Sequence, residues 1–216
     1  MDRDYKLQDY SFKKKPLFDF IKRFIDILFA LVVLIVFSWL FLIIAIIIKL
    51  DSKGPVFFAH KRVGKHGKLI KILKFRTMVP DAEKMIQNFT AEQKEEFNRN
   101  FKLEKDPRIT KVGNFLRKTS LDEFPQFINL LKGDLTLIGP RPVLEAETQL
   151  YGEHRDLLLK VKPGITGIWA ANGRSHIDYQ QRIDMELYYV CKRTPWLDIK
   201  LFFKTIVSVF KQEGAK

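Results

Sequence analysis

Residues 27–48 read ILFALVVLIVFSWLFLIIAIII, twenty-two positions without a charge. As a helix the run is about 33 Å long, against roughly 30 Å for the hydrocarbon core of a bilayer. A chain of 216 residues builds one modest domain, which is too small to cover such a helix on all sides. The run is therefore expected in a membrane rather than in a protein core. It is too long for a signal peptide, and no small-residue cleavage site follows it. Beyond it the pattern shortens. Two β-rich runs, 55–62 and 68–76, flank the Gly64–Gly67 turn and predict a hairpin. Residues 81–101 predict a charged, exposed helix that ends at Asp106-Pro107. Shorter helices are expected over 109–118 and 122–131, a loop around Gly133, Gly139, Pro140 and Pro142, then a helix over 143–159. Pro163–Gly167 reads as a second loop and 178–193 as a helix. In the tail, WLDIKLFFKTIVSVFK (196–211) has apolar residues at helical spacing with lysines between them. That pattern suits a helix lying in a membrane surface and equally an ordinary packing helix.

Charge adds an orientation. Lys and Arg total 38 against 25 Asp and Glu, a formal net charge of +13. Residues 1–80 hold 16 basic and 6 acidic side chains, so ten of the thirteen net charges lie there. Such an excess calls for an anionic partner: lipid headgroups, nucleic acid or phosphorylated substrates. Lys13, Lys14, Lys15, Lys22 and Arg23 precede the apolar run, and Lys49, Lys53, Lys61 and Arg62 follow it. The positive-inside rule then keeps both ends in the cytosol, which a straight span cannot do. A helix that bends near Ser38 and returns to the same face can, because a serine hydroxyl competes for backbone bonds. Asp26, one turn from Lys22 and Arg23, is placed to pair with them. Residues 1–16 read as a loose basic arm on anionic lipid. The single cysteine, Cys191, excludes an internal disulfide and suits a reducing compartment.

For chemistry, the chain offers no Ser-His-Asp order, no metal-ligand spacing of Cys or His, and no GxxxxGK[ST] loop. His60, His66, His154 and His176 are scattered and read as surface residues. What remains is a carboxylate pair with arginines around it. Ser120-Leu121-Asp122-Glu123 has the form of a capping box, which would put Asp122 and Glu123 in the first turn of a helix. Pro125 fits that helix best if it starts a residue or two later. An acidic first turn is commonly structural. It also suits an anionic nucleophile beside a divalent-metal ligand. Gly139-Pro140-Arg141-Pro142 holds an arginine on a stiff backbone, suited to bidentate phosphate binding. Arg108 after Pro107 and Arg174 after Gly173 are two more arginines in turns. Each alone reads as a solvated group; together they suit a diphosphate site.

These strings resemble a known family, the bacterial sugar transferases, or monotopic polyprenyl-phosphate phosphoglycosyl transferases. The resemblance runs from about Lys22 to the C-terminus. It carries KRFID, LDSKGPVFF, KFRTM, DPRIT, RKTSLDEFPQFINLLKGDLTLIGPRP, KPGITG and NGR in family order. It implies transfer of sugar 1-phosphate from a UDP-sugar to polyprenyl (undecaprenyl) phosphate, with release of UMP, through a covalent phospho-sugar intermediate and with Mg²⁺. By that resemblance Asp122 is the nucleophile, Glu123 holds Mg²⁺, and Arg141 binds phosphate. Arg174, Arg108 and, in KFRTM, Lys74 and Arg76 are further candidate phosphate or nucleotide contacts, and Glu186 falls where the family has a carboxylate. The implied fold is α+β, mainly α: an arm (1–16), a re-entrant membrane helix (17–49) and a cytosolic catalytic domain (50–216) with a short hairpin and an interfacial C-terminal helix. The implied place is the cytosolic face of the bacterial plasma membrane, as a step in exopolysaccharide, capsule, O-antigen or glycoprotein glycan assembly. One departure stands out. Where members have Ser-Pro at the bend, this chain has Ser38-Trp39. Larger members carry an N-terminal membrane domain, so the chain reads as a minimal catalytic version or a truncation. Two other classes fit composition alone: a membrane-anchored lipid-surface module without catalysis, and a nucleic-acid binder. The second leaves the long uncharged run without a purpose.

Overall fold

A computed structural model describes residues 5–100, 103, 106–173 and 177–211, apart from the side chains of 98–100 and 209–210. The apolar run forms two helices, not one. Helix α1 covers Pro16–Val36 and α2 covers Ser38–Asp51, bent by 61° at Phe37. Without a proline the break rests on Ser38, whose hydroxyl donates to Ile35 O at 2.9 Å, and on Phe37, whose φ of −100° and ψ of 13° leave the helical basin. Pro16 opens α1, where its missing N–H costs no helical bond. Both helices remain apolar outside: Leu17, Phe20, Phe24, Ile35, Trp39 and Leu42 are each more than half exposed. Among the described residues no single helix is long and apolar enough to cross a membrane; by length and composition this bent pair could.

The fold is α+β and mainly helical, with two small sheets among the described residues. Strands β1 (Phe57–Val63) and β2 (Leu69–Phe75) form the expected antiparallel hairpin, Phe58 opposite Lys74 and Arg62 opposite Ile70. The acidic segment is less helical than its pattern predicts. Asp81 adopts positive φ, a short 3₁₀ turn covers Lys84–Asn88, and α3 (Ala91–Asn100) starts only where Thr90 and Gln93 cap each other. Helix α4 (Lys111–Lys118) is capped by Thr110 and α5 covers Gln126–Lys132. Strands β3 (Thr136–Ile138) and β4 (Gly164–Thr166) pair in parallel inside the two segments read as loops. Three-residue strands are too short for an alternation signal. Their glycines permit the close approach: a Cβ on Gly139 would meet Gly164 N at 2.8 Å. The helix expected over 143–159 is three pieces, α6 (Glu145–Thr148), a 3₁₀ run over Gln149–His154 and α7 (Arg155–Leu158), broken at Gly152 with φ 52°. Helices α8 (Tyr179–Lys192) and α9 (Pro195–Phe210) follow their patterns, α8 capped by Asp178.

Buried Leu158, Val161, Leu187 and Val190 form one core, and Ile138, Ile168, Tyr189 and Leu201 a second. A third joins Ile44 and Ile48 of α2 to Phe75 and Leu116. Residues 5–15 are not a loose arm: Leu7, Tyr10 and Phe12 pack on the first core, and Tyr5 stands edge-on to Tyr188. Asp26 does not pair with its neighbouring cations. It is buried and accepts from Thr136 Oγ1 at 2.7 Å and Leu137 N at 2.9 Å, fixing α1 to β3.

Candidate active site

The carboxylate pair sits on a turn, not in a capping box. Ser120 takes positive φ (57°) and caps nothing with its side chain; Leu121–Glu123 form a 3₁₀ turn and Pro125 leads into α5. The turn is anchored by Leu121, which packs on the core of Phe75 and Leu116. That anchoring buries Asp122, 8% exposed, and leaves the Glu123 side chain 40% exposed. Asn129 in α5 accepts from Leu73 N at 2.9 Å and donates to Lys71 O at 2.8 Å, so it clips α5 to β2. This clip sets the adjoining Lys74 against the pair, its Nζ 2.6 Å from Glu123 Oε1 and 3.8 Å from Asp122 Oδ2. Arg117, at the end of α4, donates to Thr77 Oγ1 at 2.9 Å. Burial pushes the Asp122 carboxyl up to about 6, Lys74 and Arg117 pull it down, and Glu123 raises it.

A second cluster lies along the hairpin. Arg62 is on the same face as Lys74, four residues away in register and so about 13 Å along the strands. Around it gather Glu147, Arg182 and Arg141. Glu147 Oε2 is 3.3 Å from Arg62 and Glu147 Oε1 is 3.4 Å from Arg182. Burial raises the Glu147 pKa, but the Leu144 N–H, Arg182, Arg141 and Arg62 together bring it below the usual carboxylate range. Two guanidinium groups flank Trp169: Arg141 at 4.7 Å and Arg182 at 5.7 Å from the ring centre. Arg141 Nε and Trp169 Nε1 are buried donors without a hydrogen-bond partner among the described residues. Beneath them Glu186, 1% exposed, accepts the backbone N–H of Arg141; burial pushes its carboxyl up to about 7.

The structure thus brings Asp122, Glu123 and Lys74 together, and sets Arg141 on Glu186 in the second cluster. It directs two other candidates elsewhere. Arg108 is bound through Nε and Nη2 to Asp106 at 2.8 and 2.6 Å and lies over Phe89 and Phe97. Arg76 donates to the carbonyls of Ile48, Ser52 and Lys53 at the end of α2, beside Gly54, whose φ of 120° and missing Cβ make room for it. Arg174 lies outside the described residues. The sequence reading missed Arg62, Arg117, Glu147, Trp169 and Arg182. Alternation in β1 marks Arg62 as sharing a face with His60, but nothing local marks the partners that long-range packing brings to it.

Residues 17–212 match the family model described as bacterial sugar transferase. The chain belongs to the bacterial sugar transferase family. It is similar to the undecaprenyl-phosphate galactose phosphotransferase of Salmonella typhimurium, 42% identical over 199 residues, 91% of this chain and 42% of that protein. It is also similar to the UDP-glucose:undecaprenyl-phosphate glucose-1-phosphate transferase of Escherichia coli, 40% identical over 204 residues, covering 90% and 41%. The exopolysaccharide production protein ExoY of Rhizobium meliloti is 39% identical over 204 residues, covering 93% and 90%. The chain therefore spans less than half of the first two relatives and nearly all of the third.

Proposed function

We propose that this chain transfers sugar 1-phosphate from a UDP-sugar to polyprenyl (undecaprenyl) phosphate, with Asp122 as a covalent nucleophile. The observation that carries the reading is a buried aspartate held near neutrality beside Glu123 and Lys74, in a member of a family whose relatives are named as undecaprenyl-phosphate sugar phosphotransferases. An Asp122 carboxylate oxygen attacks the phosphorus that bears the sugar. The bond from that phosphorus to the bridging oxygen breaks, and UMP leaves with the oxygen. In the second half, a phosphate oxygen of the polyprenyl phosphate attacks the same phosphorus and frees Asp122. Lys74 and Arg117 supply positive charge where the phosphoryl group gathers negative charge. Glu123, half-exposed and an oxygen donor, fits Mg²⁺, with Asp122 the adjacent carboxylate. When bound, Mg²⁺ neutralises diphosphate charge. Release of UMP from a panel of UDP-sugars with undecaprenyl phosphate in detergent tests the reading. Activity is expected with at least one sugar, lost in EDTA and restored by Mg²⁺. A panel without UMP release would leave a lipid-surface module without catalysis, and full activity in EDTA would remove the metal.

The arginine cluster is proposed to hold the nucleotide diphosphate, since it shares a hairpin face with Lys74 and keeps buried donors without partners. Arg141→Lys keeps the charge but loses the planar fork and the contact with Trp169. A charge-assisted hydrogen bond contributes about 1.5–3 kcal/mol, so kcat/KM is expected to fall roughly tenfold to a hundredfold. Equal activity of the lysine variant would reduce Arg141 to general positive potential or packing.

The bent helix pair is proposed to enter the cytosolic leaflet of the bacterial plasma membrane and return, with α9 in the interface and basic residues on anionic lipid. Both ends of the pair are tied to one domain. At the start of α1, Asp19 pairs with Arg193, Lys22 with Asp198, and Arg23 donates to Leu130 O and Leu131 O. At the end of α2, Arg76 holds the carbonyls of Ser52 and Lys53. A full span would put these ends on opposite sides and break one set. With the 61° bend centred on the membrane normal, the 21 residues of α1, about 31 Å, descend about 16 Å, half of the hydrocarbon core. On α9, Trp196, Ile199, Phe203 and Val207 make an exposed apolar stripe. Lys6→Cys and Lys53→Cys, each in a Cys191→Ser background, are both expected to resist an impermeant maleimide until cells are opened. Labelling of position 6 from outside would establish a full span.

A further inference from the structure

A cavity of about 80 Å³ lies at the foot of α1, several times the ~10–15 Å³ that one water needs. Six cations line it: Lys22, Arg23, Lys65, Lys160, Lys162 and Arg193. The two carboxylates in its wall are already committed. Asp19 pairs with Arg193, and Asp26 accepts from Thr136 and Leu137. Lys22 pairs with Asp198 and Arg23 holds two carbonyls of α5. No carboxylate among the described residues forms an ion pair with Lys65, Lys160 or Lys162. Lys162 is crowded as well. Its Nζ and the Arg23 guanidinium carbon each stand 3.1 Å from where a Cβ on Gly133 would be, so the two cations are no more than about 6 Å apart. Burial, then Arg23 and Lys65 push the Lys162 ammonium below its ordinary pKa, against the opposing pull of Asp26 and Asp134. The Arg193 side chain, from a residue 5% exposed, leaves its buried Nε without a hydrogen-bond partner among the described residues. A half-enclosed site with this surplus of donors and charge suits an oxygen-rich anion.

We propose that this cavity binds the phosphate of an anionic molecule, supplied by a phospholipid headgroup. The lipid source follows from α1, which turns Lys22, Arg23 and Asp26 to the cavity while the same turns expose Leu17, Phe20, Ile21 and Phe24 on the outside. The cavity then opens at the height where α1 enters the bilayer, and in this the inference rests on the membrane placement proposed above. It is separate from the reacting groups: Arg23 grips the C-terminal end of α5 and Asp122 precedes its N-terminal end, across a seven-residue helix about 10 Å long. A bound headgroup would neutralise the lysines and fix the depth of α1.

Native mass spectrometry of the full chain in a non-ionic detergent tests this with phosphatidylglycerol, phosphatidylcholine and inorganic phosphate as separate probes. The chain is expected to retain phosphatidylglycerol at least about tenfold more strongly than the Lys65→Gln/Lys162→Gln variant does, and to retain little of the zwitterionic lipid. Both lysines are half-buried, Lys65 opening the 3₁₀ turn Lys65–Gly67 and Lys162 outside any helix or strand, and removing them relieves like-charge crowding, so the variant folds; Lys160→Gln is a second, milder probe. Tight binding of inorganic phosphate, lost in the same variant, would support the phosphate site and name a soluble source. Equal retention of phosphatidylglycerol by chain and variant would overturn the proposal. UDP-sugar turnover is expected to be unchanged in the double variant. An inactive wild-type chain whose lipid adduct still depends on these lysines would refute the transferase reading and leave this site standing.

Discussion

Asp122→Asn is expected to lower UMP release by about a thousandfold or more, with folding retained. An amide has no anionic oxygen to attack phosphorus, and losing a nucleophile outright costs far more than losing one hydrogen bond. The substitution keeps shape and removes a charge that burial already disfavours, so the domain does not lose stability at neutral pH. The same burial sets the pH dependence. A carboxyl raised to about 6 is mostly neutral below that pH and ionised above it. Activity of the unaltered chain therefore rises with pH through about 6, and the limb follows Asp122 and not a histidine. Folding has the opposite sign. An acid raised on folding favours the native state while protonated, and this contribution is lost as pH rises from the unfolded value of 3.8 through about 6. Near-normal turnover in the asparagine variant would remove Asp122 from the chemistry.

Arg76→Met is expected to destabilise the chain without raising KM for the UDP-sugar. Arg76 is 8% exposed and its guanidinium holds Ser52 O at 2.7 Å and Ser52 Oγ at 3.0 Å, and also donates to Lys53 O. These carbonyls lie at the negative end of α2, where a cation is favoured. Methionine fills the space but leaves the carbonyls without their charged donor, at a cost of about 3 kcal/mol. For a chain of this size that lowers Tm by roughly 6–12 °C. A raised KM with unchanged Tm would make Arg76 the nucleotide contact that the KFRTM resemblance implies.

Long elements were legible because their patterns are long. The apolar run, the hairpin, α8 and α9 all follow from periodicity, and the bend follows from one serine between two basic flanks. Short elements failed for the converse reason. Strands β3 and β4 are three residues each, and Gly152 divides a stretch whose flanks are helical. The candidate site was legible where its residues are local in sequence. Asp122 and Glu123 are neighbours in sequence, and Arg141 is announced by its prolines. Lys74 came from resemblance, and its meeting with Glu123 needs Asn129 to lock α5 on β2. Arg108, read from its turn, and Arg76, taken from the KFRTM resemblance, were both assigned without sight of their partners: backbone carbonyls 23 to 28 residues away for Arg76 and an aspartate two residues away for Arg108.

A covalent phospho-sugar on Asp122 would register in the intact mass of the chain. The chain is incubated with an accepted UDP-sugar and no lipid acceptor, then denatured and weighed. The expected result is a mass gain of one sugar phosphate, about one UMP released per chain, and loss of the adduct on adding polyprenyl phosphate. The adduct is absent from Asp122→Asn. UMP release that starts only when the lipid acceptor is added, with the chain's mass unchanged throughout, would contradict it.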